Sequence, residues 1–206
     1  MSEAGDWQVD GALLEAWRKG DADAGAELYD RHVGAVARFV RNKLPDQAEE
    51  LIQQTFLALV ESRDRIRAGI TVRAFLLGIA RHKLLDCLAK LGKGRVIDPE
   101  ADSIVDVAPG PSTLVARKRE QKLLLEGLRR IPIEHQIALE LFYWEGLSAA
   151  EIAEVFGISH SAMRSRLSKA RALLEEQMAT LAESPDLLSS TVTGFDGWVA
   201  EIRARM

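Results

Sequence analysis

Cysteine is nearly absent from this sequence of 206 residues, and its scarcity limits the available chemistry. The single cysteine, Cys87, cannot form an intramolecular disulfide and excludes a cysteine-rich zinc site. Four scattered histidines, without a glycine-rich phosphate loop, form no catalytic constellation. We therefore expect no enzymatic activity, no metal and no cofactor, in a chain adapted to the reducing cytoplasm.

Long apolar runs and an excess of positive charge are also missing. No apolar stretch reaches the roughly 18 residues that a membrane span needs. The acidic N-terminus, MSEAGDWQVD, lacks the apolar core of a secretion signal. The formal net charge of −4 does not favour a nucleic-acid partner. Since salt screens charges over about 10 Å, a local basic patch can still exist, and the charge distribution has to decide.

What the sequence does contain is helical periodicity, which predicts an all-α fold. Hydrophobic residues make up 47% and charged residues 28%, as in ordinary globular proteins. Proline and glycine fall mostly between the periodic segments. The predicted helices are 10–19, 21–44, 46–63, 72–91, 112–130, 132–144, 149–156 and 161–178.

Two apolar stripes define the core of the first predicted helical domain. On the second helix the predicted stripe is Tyr29, Val33, Val36, Val40 and Leu44. On the third helix the predicted buried side is Ile52, Thr55, Phe56, Leu59 and Val60. Thr71 is the predicted N-cap of the fourth helix.

Residues 92–112 have no helical period and contain three of the six prolines. We interpret them as an extended linker between a domain at 10–91 and a second domain at 113–178. The extension 179–206 ends in a predicted helix with Phe195, Trp198, Val199 and Ile202 on one face. We expect this face to dock on the protein itself or on a regulator.

The segment 147–171 has the anatomy of a DNA-binding helix-turn-helix. Ser148 and Glu151 form a predicted capping box, with Leu147 and Ile152 as the hydrophobic staple. Gly157 stands where a left-handed residue ends the first helix. Ile158 fills the turn, and Ser159 caps the second helix.

The second helix of this motif separates by angle into two faces. Met163, Leu167, Ala170 and Leu174 fall on the side predicted to pack on the domain, and Ser161, Ser165 and Ser168 fall opposite. Residues 159–171 hold four Arg or Lys and no acid: Arg164, Arg166, Lys169 and Arg171. Small polar residues permit approach to base edges, and long cations reach phosphates, so this face is predicted to bind DNA.

Two further polar surfaces, on the third and fourth helices, indicate a binding partner less clearly. The outer face of the third helix carries Asp46, Gln47, Glu50, Gln54, Leu57 and Glu61, which is compatible with a solvated face or with docking to a basic partner. The fourth helix carries Arg73, Arg81, His82, Lys83 and Lys90 against one acid, Asp86, and predicts a weaker nucleic-acid surface.

Three segments resemble the ECF (extracytoplasmic function) sigma factors, in the order and spacing of that family. AEELIQQTFL at 48–57 resembles their polymerase-binding helix, and FLLGIARHKLLD at 75–86 resembles their promoter-melting helix. GISHSAMRSRLSKAR at 157–171 is similar to their −35-reading helix. The resemblance covers roughly residues 10–178 and implies a region 2-like bundle and a region 4-like helix-turn-helix domain.

The resemblance implies a set of partners and site residues. Core RNA polymerase would receive the first domain on its β′ clamp helices and the second on its β flap, and promoter DNA would bind both. Regulation by an anti-sigma factor is common among relatives. The implied contacts with the clamp helices come from Glu49, Glu50, Gln53, Gln54 and Leu57. Those with −10 DNA come from Arg67, Thr71, Arg73, Arg81, His82, Lys83 and Lys90, with the 65–71 loop holding an unpaired base. Those with −35 DNA come from Ser159, His160, Ser161, Arg164, Ser165, Arg166, Lys169 and Arg171.

Two alternatives stay open from sequence. A helix-turn-helix regulator that acts without polymerase would bind duplex promoter DNA specifically on its own. A sigma-like decoy would join polymerase without supporting transcription. Under the sigma-factor interpretation the mechanism is binding energy, because a captured base repays part of the few kcal/mol that unstacking costs.

Overall fold

The computed structural model describes residues 3–66, 70–92, 96–108 and 118–203, and within 3–203 it leaves the side chains of 3–7, 196, 198, 202 and 203 undescribed. Among these residues the secondary structure is helical, with one isolated bridge between Ser103 and Pro132, so the all-α prediction is confirmed. In the same part of the chain, no helix has both the length and the hydropathy that crossing a bilayer requires.

Eleven α-helices are present in the described residues. They are α1 Glu3–Arg18, α2 Ala22–Arg41, α3 Ala48–Ser62, α4 Val72–Leu91, α5 Ile104–Val107, α6 Arg119–Leu128, α7 Ile133–Tyr143, α8 Ala149–Phe156, α9 His160–Leu181, α10 Pro185–Thr193 and α11 Phe195–Arg203. Short 3-10 helices at Pro45–Gln47 and Arg63–Arg65 flank α3.

The helices form two compact units. One contains residues 1–84 together with 153–157, and the other contains 85–152 and 158–206. In the first unit α1 packs on α2 and α2 packs on α3. The core of this packing includes Leu28, Phe39 and Leu51, each no more than 3% exposed.

The buried face of α2 differs from the predicted stripe. Tyr29 is 45% exposed, whereas its neighbour Leu28 is fully buried and His32 is only 6% exposed. The reason is Asp10 on α1, whose carboxylate lies 2.8 Å from His32 Nε2 and accepts a hydrogen bond from Arg31 Nε at 2.7 Å. A polar residue thus lies in the core beside a carboxylate from another helix. The predicted stripe is confirmed at Val36, Val40 and Leu44, each at most 2% exposed, and is wrong at Tyr29, whose place in the core Leu28 takes.

The second unit is built on α6, α7 and α9, with α9 packed on both of the others. Gly127 permits the close approach of α6 to α9, because a Cβ added there would lie 3.0 Å from Leu174 Cδ1 and from Met178 Cγ. The core includes Leu124, Ile137 and Leu141, all fully buried.

The predicted linker contains ordered structure that its composition did not suggest. Ser103 caps α5 in a capping box with Asp106, and Ile104 is fully buried in the second unit. Four residues are too few to produce a helical period, so the sequence pattern could not predict this helix. Residues 93–95 and 109–117 of the linker region lie outside the described residues.

The C-terminal extension folds onto the second unit. Helix α10, which was not predicted, packs on α6 and α9, and the predicted helix α11 packs on α6. The Phe195 ring lies 4.8 Å from that of Tyr143, and Val199 is 5% exposed. Glu201 accepts hydrogen bonds from Lys118 Nζ at 3.1 Å and Gln121 Nε2 at 2.8 Å. Of the two predicted docking partners, the protein itself is therefore the one observed for Phe195.

Candidate nucleic-acid and polymerase interfaces

The turn between α8 and α9 is formed by local hydrogen bonds that the sequence pattern predicted. The Ser148 N–H and hydroxyl donate to the Glu151 carboxylate at 2.9 and 2.8 Å, which closes the capping box. Gly157 has φ +66°, a backbone conformation that residues with a Cβ rarely adopt. The Ser159 hydroxyl accepts from the Ala162 N–H at 3.2 Å and caps α9. Both caps and the glycine turn are thus confirmed.

Helix α9 presents the two faces that its periodicity predicts. Met163, Leu167, Ala170 and Leu174 are at most 6% exposed. The opposite side is solvent-exposed and contains no acid before Glu175: Ser159, His160, Ser161, Arg164, Ser165, Ser168, Lys169 and Arg171. The serines lie along the centre of this face, and Arg164 and Lys169 lie at its borders.

Two cations of the predicted DNA set are engaged elsewhere in the second unit. The Arg166 guanidinium donates to Glu100 Oε1 at 2.6 Å, and its side chain is only 19% exposed. Arg171 lies 5.4 Å from the ring centroids of both Phe142 and Tyr143. Arg164 and Lys169 are the cations best placed to meet a phosphate.

A buried histidine lies among the charges of this region. His135 on α7 is 3% exposed. Burial lowers the pKa of its imidazole below the ordinary value, Glu100 raises it, and Arg166 and Lys169 lower it further, so the net shift is downward. This side chain is consequently held in its neutral form to lower pH than an exposed histidine.

The outer face of α3 is exposed and acidic, with an apolar side chain at its centre. Glu49, Glu50 and Gln53 are exposed, and Gln54 Nε2 donates to Glu50 Oε1 at 2.5 Å. Leu57, one turn further along, is 57% exposed. An apolar side chain among carboxylates suits docking to a basic protein surface better than it suits the polyanion DNA.

Val60 extends this surface, and Tyr29 on α2 is also exposed, although both residues were predicted to be buried. Val60 is 47% exposed and follows Leu57 by three residues, which places the two on one side of the helix. Tyr29 is 45% exposed and its ring lies 4.6 Å from that of Phe56. The hydrophobic pattern assigned them to the core because helix periodicity alone cannot tell a wide buried stripe from an apolar patch at its edge.

Helix α4 has a mixed outer surface. His82 and Lys90 are exposed, but Asp86 lies between them, and Arg73, Arg81 and Lys83 are only partly exposed. The Thr71 hydroxyl accepts from the Ala74 N–H at 3.1 Å, which confirms it as the N-cap of this helix. Arg67 lies outside the described residues.

Comparison with known proteins identifies the family. The Sigma-70 region 2 profile matches residues 28–94, and the Sigma-70 region 4 profile matches residues 121–174. The ECF RNA polymerase sigma factor SigL of Mycobacterium tuberculosis is 28% identical over 143 residues, covering 68% of this chain and 80% of SigL. The RNA polymerase sigma factor CarQ of Myxococcus xanthus is 31% identical over 172 residues, covering 82% of this chain and 97% of CarQ. This chain is an ECF sigma factor.

The resemblance stated from sequence is therefore confirmed, and so is its function. As an alternative sigma factor, the protein binds core RNA polymerase and directs promoter recognition and transcription initiation. Its region 2 match begins within α2 and its region 4 match ends within α9. Helices α1, α10 and α11 thus lie beyond the two matched regions of this sigma factor.

Solved structures support the fold of this ECF sigma factor. CnrH in complex with the cytosolic domain of CnrY has a TM-score of 0.62 at 22% identity, covering 84% of this chain and 99% of that chain. The sigma factor RpoE in complex with the anti-sigma factor NepR from Bartonella quintana has a TM-score of 0.57 at 21% identity, covering 75% and 96%.

Proposed function

We propose that the exposed face of α9 reads the −35 element in the major groove. His160, Ser161 and Ser165 meet base edges, while Arg164 and Lys169 bind phosphates on either side. The exposure of small polar side chains between two long cations carries this proposal. Arg166 reaches DNA only by leaving Glu100, whereas Arg171 is exposed and lies beside the Phe142 and Tyr143 rings.

We propose that α3 docks on the β′ clamp helices of polymerase through Glu49, Glu50, Gln53, Gln54 and Leu57, with Val60 added to the set. Leu57 and Val60 supply apolar area to be buried, and the two glutamates select a basic partner surface. The second unit rests on the β flap. This division leaves α9 available for DNA.

We propose that α4 and the loop before it contact −10 DNA after the strands separate. His82 and Lys90 are the first candidates because both are exposed. Arg73, Arg81 and Lys83 contribute at the edge of this surface, and Arg67 and Thr71 belong to the loop that holds an unpaired base. Capture of that base offsets part of the unstacking cost.

We propose that the protein performs no catalysis of its own and acts by binding, in the cytoplasm where core polymerase works. Its one thiol is a poor nucleophile, because burial raises the pKa of Cys87 and the opposing effect of Lys90 is smaller. We further propose an anti-sigma factor as a regulator, as in the complexes of RpoE with NepR and CnrH with CnrY.

Run-off transcription with core polymerase and a library of promoter fragments tests this function. The wild-type protein is expected to give transcripts from a subset of fragments. Glu50→Arg is expected to weaken assembly with core polymerase and to make the fall in affinity with salt shallower, since the substitution removes an attraction that salt screens and adds a repulsion. A protein that never joins core polymerase, or a Glu50→Arg variant that joins it as wild type does, would contradict the proposal.

A further inference from the structure

Residues 98–107, called the strap below, are built into the second unit by backbone hydrogen bonds. The Ile133 N–H donates to Asp102 O and the Glu134 N–H to Pro99 O, both at 3.0 Å. These are two of the first amides of α7, which have no acceptor within their own helix. The Val105 N–H donates to Arg129 O at 3.3 Å, and Ile104 is fully buried. The strap is consequently part of the DNA-binding unit rather than a free tether.

The strap delivers a carboxylate to the recognition helix. Glu100 Oε1 lies 2.6 Å from Arg166 Nη2, and Glu134 Oε2 lies 3.8 Å from Arg166 Nη1. One guanidinium thus faces two carboxylates. The Glu100 side chain is 51% exposed, whereas that of Glu134 is 4% exposed, so Glu100 is the partner that can leave. Arg166 lies within the sequence span of the DNA face, between Ser165 and Leu167.

A carboxylate and a phosphate are alternative partners for an arginine fork, because each accepts two parallel N–H bonds. The anchored strap keeps Glu100 near Arg166 at a high effective concentration. We propose that Glu100 competes with DNA phosphate for Arg166, so that the strap lowers the affinity of α9 for DNA until a phosphate displaces it. This inference rests on the proposed role of α9 in DNA binding.

The test uses full-length protein and a short fluorescent duplex of mixed sequence, with binding followed by anisotropy over a series of salt concentrations. Glu100→Gln is expected to bind about two- to fivefold more tightly, the range of a half-exposed ion pair. Its slope of log affinity against log salt should steepen by up to about 0.9, the value of one added phosphate contact. Glu201→Gln removes the same charge from the ion pair with Lys118 and is the matched control.

A second pair of variants assigns the gain to Arg166. Arg166→Gln and the double variant Glu100→Gln/Arg166→Gln are expected to bind DNA equally, because the cation that Glu100 releases is gone in both. Thermal unfolding by circular dichroism verifies that all variants are folded.

The outcomes separate this inference from the function on which it rests. Equal affinities of Glu100→Gln and Glu201→Gln, or a gain that persists when Arg166 is replaced, would overturn the competition. An Arg164→Ala/Lys169→Ala variant that bound the duplex as wild type does would instead overturn the DNA-binding role of α9. Loss of affinity in that variant without a gain in Glu100→Gln would leave the proposed function standing and the inference refuted.

Discussion

Helices α3 and α9 both expose one polar face, but the two faces are built differently. On α3, exposed Glu49 and Glu50 lie near Leu57 and Val60, which are 57% and 47% exposed. On α9, the exposed face from Ser159 to Arg171 carries serines and cations, and its apolar residues are turned inward. Both helices are amphipathic, so amphipathicity by itself does not distinguish their roles.

The difference indicates two kinds of partner. A protein surface offers apolar area and few ionic groups, so apolar anchors surrounded by selective charges are effective there. Duplex DNA offers a dense row of phosphates and polar base edges, for which an apolar anchor has little use and cations provide most of the affinity. The side chains at the centre of each face therefore identify the partner better than the sign of its charge.

The largest expected effect is on the apolar centre of α3. Leu57→Ala should weaken core polymerase binding about ten- to thirtyfold, because an anchor residue carries a disproportionate share of the interface free energy. Duplex DNA binding through α9 should be unchanged. Surface plasmon resonance with immobilised core polymerase measures the first and anisotropy the second.

Val96→Ala is the matched control for this substitution, since Val96 is 90% exposed and lies outside α3. It should leave polymerase binding at the wild-type value. If Leu57→Ala bound polymerase no more weakly than Val96→Ala, the proposal that α3 binds a protein partner through its apolar centre would be contradicted.

A smaller effect is expected at the borders of the α9 face. Arg164→Ala/Lys169→Ala should lower affinity for duplex DNA about five- to twentyfold at low salt, to a similar degree for all sequences. Each lost phosphate contact should make the slope of log affinity against log salt shallower by about 0.9. Arg119→Ala/Lys122→Ala removes two exposed cations from α6 and should change neither quantity. A similar loss in both double variants would indicate nonspecific attraction rather than a binding face.

The smallest expected effect is a difference between the two units in how their local stability depends on pH. The folded-state pKa of His135 is lowered from 6.5, so the unfolded chain binds this proton more readily than the folded one. Its stabilising contribution is complete above 6.5 and is lost as pH falls from 6.5 through the folded value. Hydrogen exchange of the α7 amides between about pH 8 and about pH 5.5 should show this loss, and His135→Gln should remove it.

Asp10 provides the contrast in the first unit. Burial raises the pKa of its carboxyl, but His32 and Arg31 lower it by more, so the net value falls below 3.8. Its stabilising contribution is present above 3.8 and is lost only as pH falls through the lowered value. Amides of α1 and α2 should accordingly show no loss of protection attributable to Asp10 between about pH 8 and about pH 5.5.

For α7, identical pH profiles of amide exchange in His135→Gln and in the wild type would refute the assignment of the pH effect to His135.

Local signals predicted the helix-turn-helix in detail. The Ser148–Glu151 box, the Gly157 turn and the Ser159 cap depend on residues three or four positions apart, and all three occur as predicted. Prediction from sequence was weaker where burial depends on a residue far away in the chain. His32 lies in the core beside the Asp10 carboxylate, and this pair joins two helices whose sequences do not reveal it.

Local residue patterns were enough to locate most of the helices, the start of the recognition helix and its cationic face, because these follow from hydrogen bonds and periodicities within a few residues. They did not predict the short helices α5 and α10. Long-range packing, by contrast, anchors the strap to the start of α7, brings Glu100 to Arg166 and packs α11 on α6. Such contacts join residues dozens of positions apart, and their free energy depends on burial and geometry that composition does not encode. Nearby residues in the sequence thus determine which chemical groups each surface carries, whereas the fold determines which of those side chains are exposed to a partner.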